Sequence, residues 1–308
     1  MSWTDANVPD LTDKTVVLTG ANSGIGFEAA WMLAAKGAHV VMACRNEDKA
    51  NAAMGMLRER VQRRGSFSFL PLDLADLASV RAFTNAYTER FDRLDVLVNN
   101  AGIMAIPRRL TKDGFEMQLG TNHLGHFALT SRLMPTLLAT EKSRIVHVSS
   151  LAHRVGTMDF VDLMGERNYA RWPRYGQSKL ANLLFHFELQ RRLGDRGPIS
   201  VACHPGYAAT NLQFVAPQMD NSSLAEWGLM LLNAFFAQTA SRGALPTAYA
   251  ATALDVRGGD YIGPSGFREF WGTPTKVAAA PKARDAHSAK RLWEASVTLT
   301  GEDFGSLA

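Results

Sequence analysis

The stretch TGANSGIG, Thr19 to Gly26, directly follows the apolar run TVVLT (15–19) and opens the segment GFEAAWMLAAKG, whose apolar residues recur at three- and four-residue spacing. A strand that turns into a helix through three glycines can bring backbone amides and the positive end of a helix dipole up to a phosphate. Gly20 permits the sharp turn, Gly24 lets backbone approach the phosphate, and Gly26 lets the helix pack tightly on the strand. The spacing GxxxGxG differs from the GxGxxG of the common dinucleotide fingerprint, and an ordinary strand-to-helix turn also uses glycine. What favours a dinucleotide site is the position of the cluster, at the first strand of an alternating series.

That series continues with HVVMAC (39–44), SFSFLPL (66–72), DVLVN (95–99), RIVHVSS (144–150) and ISVACHPG (199–206), separated by helical patterns such as LASVRAFTNAYTERF. Runs without polar alternation predict strands covered on both faces. The expected fold is therefore α/β, a doubly wound parallel sheet of Rossmann-like type with ligands at the carboxyl ends of the strands.

After Gly206 the alternation fails. A polar loop (216–223) leads into LAEWGLMLLNAFFAQ, too short to cross a bilayer. We expect a single domain over 1–308, with a core at about 12–256, a substrate lid at about 207–243 and a C-terminal tail and helix at 257–308 that opens near Asp285. The apolar part of the lid, Leu224 to Phe236, could instead be an interface or a membrane-surface helix.

Composition narrows the class. Of 308 residues, 46% are hydrophobic and 20% charged, which are globular values. The 33 Lys and Arg against 29 Asp and Glu give a net charge of +4, but the basic residues are scattered in pairs without a nucleic-acid module, so no nucleic-acid partner is expected. The two cysteines, Cys44 and Cys203, end apolar runs and read as core thiols of a reducing compartment. With no leader pattern and no apolar window long enough to span a membrane, a cytoplasmic location is expected.

The second strand ends in MACRN. An NAD site would place an acid there against the ribose 2′-hydroxyl, whereas Arg45 can pair with the extra phosphate of NADP, helped by Asn22 and Ser23. Asp73, ending the third run, is placed to reach the adenine edge.

In RYGQSKLANLLF (174–185), Tyr175 and Lys179 are four residues apart on one helical face. Together with TGANSGIG, NNAG (99–102), VSS (148–150) and HPG (204–206), they stand in the order of one family, and the chain resembles the short-chain dehydrogenases/reductases. Further stretches, TNHLGHF (121–127), VSSLAHR and SKLANLLF, are similar to its retinol dehydrogenase and WW-domain oxidoreductase branch. The resemblance implies a catalytic set of Asn122, Ser150, Tyr175 and Lys179. Tyr175 exchanges a proton with the substrate oxygen, Ser150 rather than Ser149 polarises that oxygen, and Lys179 lowers the Tyr175 pKa and holds the nicotinamide ribose. Asn122 anchors a water leading from the lysine to solvent. NADP(H) contacts are implied for Gly20, Asn22, Ser23, Gly24, Ile25, Gly26, Arg45, Asp73, Leu74, Asn100, Ala101, Gly102, Tyr175, Lys179, Pro205 and Gly206, and for Thr210 at the nicotinamide carboxamide.

The expected activity is interconversion of an alcohol and its ketone or aldehyde. The alternative on the same fold is a non-catalytic dinucleotide-binding regulator, which could dispense with the catalytic set. Phe160, Tyr169, Trp172, Tyr207, Phe214, Trp227 and Phe235 suggest an apolar mouth for a lipophilic carbonyl. His123 and His126 have a spacing seen in metal sites but lack a third ligand, so packed histidines are expected; His204 is expected as a pocket wall. A homo-oligomer is possible, since many relatives pair through the helices that bear Asn122 and Tyr175.

Overall fold

A computed structural model describes residues 2–62, 64–195, 197–207 and 238–307. Strand β1 (Thr15–Thr19) is buried throughout. It sends Val17 to one face of the sheet and Val16 and Leu18 to the other, as the two-residue period of a strand requires. Beside it lie β2 (His39–Cys44), β3 (Ser66–Pro71), β4 (Val96–Asn99), β5 (Arg144–Val148) and β6 (Ile199–Cys203). With β7 (Tyr261–Pro264) and β8 (Pro274–Lys276) at one edge, the sheet order is β3-β2-β1-β4-β5-β6-β7-β8, parallel except for the last pair. The order reverses between β1 and β4, which opens a crevice at their carboxyl ends.

The helices divide between the faces. On one side α1 (Gly24–Ala34) and α2 (Glu47–Val61) pack with Val16, Leu18 and Val40. On the other, α3 (Leu77–Thr88), α5 (Gly125–Ala139) and α6 (Arg171–Leu193) pack with Val17, Val41 and Leu97. Side-chain caps start several of them: Asn46 Oδ1 accepts from Lys49 N, and Asp76 Oδ1 from Ala78 N and Ser79 N. A short turn α4 (Met117–Leu119) runs through a π-helical turn (Gly120–Leu124) into α5.

The sheet runs past residue 256, where the alternation suggests that the core ends. Helix α7 (Ala240–Thr252) leads to β7 (Tyr261–Pro264), parallel to β6, and β8 (Pro274–Lys276) closes the edge. These elements hide in the sequence for physical reasons: α7 carries Pro246 and a run of alanines, while the strands are too short to display a period. The final helix α8 (Ala286–Thr300) begins at Asp285 as expected, with Asp285 Oδ2 accepting from Ser288 N. Its Trp293 stacks among Phe127, Phe185 and Phe304 at ring separations of 4.6–5.9 Å. The C-terminal segment thus belongs to the same core.

Cys44 and Cys203 are buried and free. Among the described residues no helix is long and apolar enough to cross a membrane. Of the expected lid, residues 208–237, with Thr210, Phe214, Trp227 and Phe235, lie outside the described residues, and its last residues, from Ala240, open α7 instead.

Candidate active site

The crevice between β1 and β4 is a cleft of about 540 Å³. Its floor is the glycine turn. Gly20 has φ +67°, and a Cβ on Gly26 would stand 2.3 Å from the Gly20 carbonyl oxygen, so neither position accepts a side chain without displacing the turn. Ser23 precedes α1 without a side-chain cap, and Asn22, Ser23, Gly24 and Ile25 line the cleft. The first amides of α1 therefore lie at its edge, an arrangement that suits a pyrophosphate.

Thr19 joins the ends of β1 and β4. Its Oγ1 accepts from Asn100 N and Ala101 N, both at 2.9 Å, while Asn100 Nδ2 donates to Thr19 O at 2.8 Å. Thr19 Oγ1 also lies 2.9 Å from His126 Nε2, and His126 Nδ1 lies 3.1 Å from the Asn122 carbonyl oxygen. These partners define one tautomer, with Nδ1–H donating to Asn122 and Nε2 accepting from the threonine hydroxyl. Burial pushes His126 down to about 4, so the ring is neutral near pH 7. His123 bonds Ser296 Oγ instead, and the described residues contain no group of three metal-ligating side chains.

Asn122 is buried in the π turn behind the cleft. Its Nδ2 donates to Ile103 O and to Ser178 Oγ on α6, each at 2.9 Å, and its Oδ1 accepts from Ile103 N at 2.8 Å. A Cβ on the neighbouring Gly102 would meet Asn122 Oδ1 at 3.1 Å and Lys179 Nζ at 3.3 Å, so the cleft floor, Asn122 and Lys179 converge.

On α6, Tyr175 and Lys179 face the cleft together. Lys179 Nζ donates to Val148 O at 3.2 Å and lies 5.9 Å from the Tyr175 ring centroid. The two serines after β5 separate cleanly. Ser149 Oγ is buried and donates to Lys179 O at 2.8 Å, whereas Ser150 stands with Tyr175 on the cleft wall and caps the 3₁₀ turn Leu151–Arg154. One expectation is reversed here. Helical spacing predicts that Lys179 draws the phenol pKa down, yet burial pushes Tyr175 up to about 12, with the Ser150 side chain opposing it only in part. The same burial lowers Lys179 to about 8. Desolvation is the largest cause for both groups.

Of the residues expected to hold a cofactor, those of the glycine turn and Asn100, Ala101, Gly102, Tyr175, Lys179, Pro205 and Gly206 meet at the cleft. Arg45, Asp73 and Leu74 do not line it. Arg45 is exposed just beyond β2; Asp73 Oδ1 accepts from Ala75 N; and Leu74 is buried against Gly125.

The other half of the cleft is apolar: Met104, Leu151, Trp172, Tyr207 and Phe270. Two expected mouth aromatics stand elsewhere, because Tyr169 donates its hydroxyl to Ile106 O and Phe160 packs beneath the Arg291 guanidinium. Sequence reasoning missed Phe270; its signal was the aromatic cluster FREFW (267–271) after a glycine.

A glycine turn, a buried Tyr–Lys pair and a serine at the next strand end on a doubly wound sheet define a dinucleotide-dependent oxidoreductase. The chain belongs to the short-chain dehydrogenases, whose family model matches residues 14–220. These are oxidoreductases that bind a nicotinamide dinucleotide, and this chain falls in the retinol dehydrogenase-like branch. It is 41% identical over 295 residues to human retinol dehydrogenase 13, covering 96% of this chain and 86% of that one. To human retinol dehydrogenase 12 it is 40% identical over 296 residues, with 94% and 87% covered. Among solved structures, an uncharacterized protein from Mycobacterium Paratuberculosis matches at TM-score 0.80 and 41% identity over 99% of both chains. A short chain dehydrogenase from Shigella flexneri complexed with NADP shares the fold at TM-score 0.62 and 22% identity, covering 82% of this chain and 97% of that one.

Proposed function

We propose that the protein is an NADP(H)-dependent oxidoreductase that interconverts a lipophilic alcohol and its aldehyde or ketone, with Tyr175 as acid and base. One observation carries the reading: Ser150 and Tyr175 line one cleft together, with buried Lys179 one helical turn from the phenol and the glycine turn lining the same cleft.

The glycine turn with Asn22, Ser23 and Ile25 would hold the pyrophosphate, and Asp73 and Leu74 the adenine end. Asn100, Ala101 and Gly102 would form the floor, Lys179 would hold the nicotinamide ribose, and Pro205, Gly206 and Thr210 the carboxamide side. Bound there, the nicotinamide supplies or takes up the hydride. The chain's own residues manage the proton. A phenol held near 12 keeps its proton at Oη until negative charge develops on the substrate oxygen, and then donates it. Ser150 stabilises that same oxygen. The Lys179 ammonium favours the phenolate left behind, and Asn122, tied to Ile103 and Ser178, would anchor the water through which the lysine regains contact with solvent.

Arg45 supports NADP over NAD. The Cys44 thiol beside it faces the backbone amides of Gly20, Ala21 and Asn22, so the end of β2 abuts the phosphate turn, and no carboxylate side chain stands there. The apolar half of the cleft supports a lipophilic substrate, and the names of the relatives make retinal the first carbonyl to try. The two free, buried cysteines suit the reducing cytoplasm.

Tyr175→Phe tests the assignment. Turnover of retinal and of a carbonyl panel with NADPH should fall below a few per cent, with NADPH affinity, read by fluorescence titration, within about twofold. A variant that keeps the wild-type rate removes Tyr175 as the acid. A wild type that binds NADPH yet turns over nothing favours the regulator instead.

A further inference from the structure

Behind the apolar half of the cleft, three charged or polar side chains from three segments meet. His204 Nε2 lies 2.9 Å from Glu269 Oε2, and Arg154 Nη2 lies 2.6 Å from Glu269 Oε1. His204 is fully buried, Arg154 closes the 3₁₀ turn that Ser150 caps, and Glu269 sits immediately before Phe270, a wall of the cleft. The His204 ring is fixed from both sides. Its Nδ1 accepts from Gly206 N at 3.2 Å, which leaves Nε2–H to donate to the carboxylate, so the ring bridges as a neutral donor while Arg154 balances the charge of Glu269.

The loop so held is not relaxed. Arg268 and Glu269 have φ of 49° and 62°, two successive left-handed residues that are not glycine. Such a conformation persists where its surroundings impose it. The bridge is one such restraint, and backbone contact is the other: Tyr207 N donates to Phe270 O at 2.9 Å, and a Cβ on Gly206 would stand 2.5 Å from that same oxygen.

We propose that Glu269 is a positioning residue: through Arg154 and His204 it locks Phe270 against the turn at Gly206 and Tyr207, and thereby sets the width of the cleft for large apolar substrates. This rests on the oxidoreductase reading above. The bridge couples the Ser150 turn, the turn after β6 and the aromatic wall into one rigid rim. Releasing the carboxylate lets the strained pair relax and withdraws Phe270 from the substrate.

The test uses the full chain as wild type, Glu269→Ala, Glu269→Gln and Arg154→Met, with NADPH and two probe carbonyls, hexanal and retinal. Glu269→Ala should raise KM for retinal about tenfold with kcat for hexanal and NADPH affinity within about twofold, the scale of losing one apolar wall contact. Glu269→Gln, which can still accept from His204, should recover part of the loss. Hydrogen exchange supplies a readout independent of turnover: the Tyr207 amide should lose protection in Glu269→Ala and Arg154→Met. Should Glu269→Ala fail to fold, the Gln and Met variants carry the same comparison. Unchanged exchange overturns the proposal whether or not the protein is an enzyme, and so does faster exchange with an unchanged retinal-to-hexanal ratio. If the wild type turns over neither carbonyl, the oxidoreductase reading fails and the substrate role of Glu269 falls with it; faster Tyr207 exchange would then support the locking role alone.

Discussion

Replacing Lys179 with methionine should make the cofactor-free protein more stable while abolishing its activity. Lys179 is only 4% exposed, and burial lowers its pKa from 10.5 to about 8. At about 1.4 kcal/mol per pKa unit, holding the ammonium in this site at pH 7 costs about 3 kcal/mol relative to the unfolded chain. Against this stands the bond from Nζ to Val148 O, worth about 1 kcal/mol. Val148 O keeps a second donor, Asn182 Nδ2 at 3.3 Å, so the substitution orphans no carbonyl. The balance predicts a gain of about 2 kcal/mol for Lys179→Met at pH 7, read as a shift in the urea midpoint at unchanged slope. The sign of the pH dependence follows. Below the folded pKa of about 8 both states are protonated and the full penalty applies; between about 8 and 10.5 the unfolded chain binds more protons, so wild-type stability rises with pH. The advantage of the variant should therefore shrink from pH 7 to pH 9.5. Tyr175, raised to about 12 by burial, acts in the opposite sense above pH 10, but it is common to both proteins and cancels in the difference. A variant less stable than wild type at pH 7, or an advantage independent of pH, would refute the claim that the ammonium is held at a cost.

The adjacent serines should part company: Ser150→Ala should lower kcat about a hundredfold or more with little change in melting temperature, while Ser149→Ala, which removes the buried bond to Lys179 O, should cost about 1 kcal/mol of stability and far less rate. For cofactor choice, Cys44→Asp with Arg45→Ser removes a cation and sets a carboxylate beside the Gly20 to Asn22 amides; the NADPH-to-NADH ratio of kcat/KM should fall at least about tenfold, and an unchanged ratio would mean that the 2′-position is read elsewhere. Trp293→Ala should cost about 3–5 kcal/mol by opening the aromatic cluster that binds α8 to Phe127 and Phe185, and a denaturation midpoint near that of wild type would show the C-terminal helix to be dispensable.

The doubly wound sheet was legible in the sequence because each central strand is covered on both faces and therefore reads as an unbroken apolar run next to a helical period. The glycine turn was legible because close backbone approach forbids side chains at Gly20 and Gly26. Tyr175 and Lys179 could be placed on one face because a helix repeats every 3.6 residues. These are local constraints, and local constraints leave their mark on local sequence. The rest was decided by contacts between distant segments. Both serines line the cleft, and which of the two hydroxyls is tied up depends on which one the carbonyl of Lys179 captures. The short strands β7 and β8 exist because β6 offers an edge for pairing, not because they show a period of their own. Phe270 becomes a cleft wall through Arg154, 116 residues upstream, and through His204. The direction of the Tyr175 pKa was beyond the sequence for the same reason. Spacing along a helix reports which groups are neighbours, but the free energy of a charge depends on how much water the whole fold removes from around it.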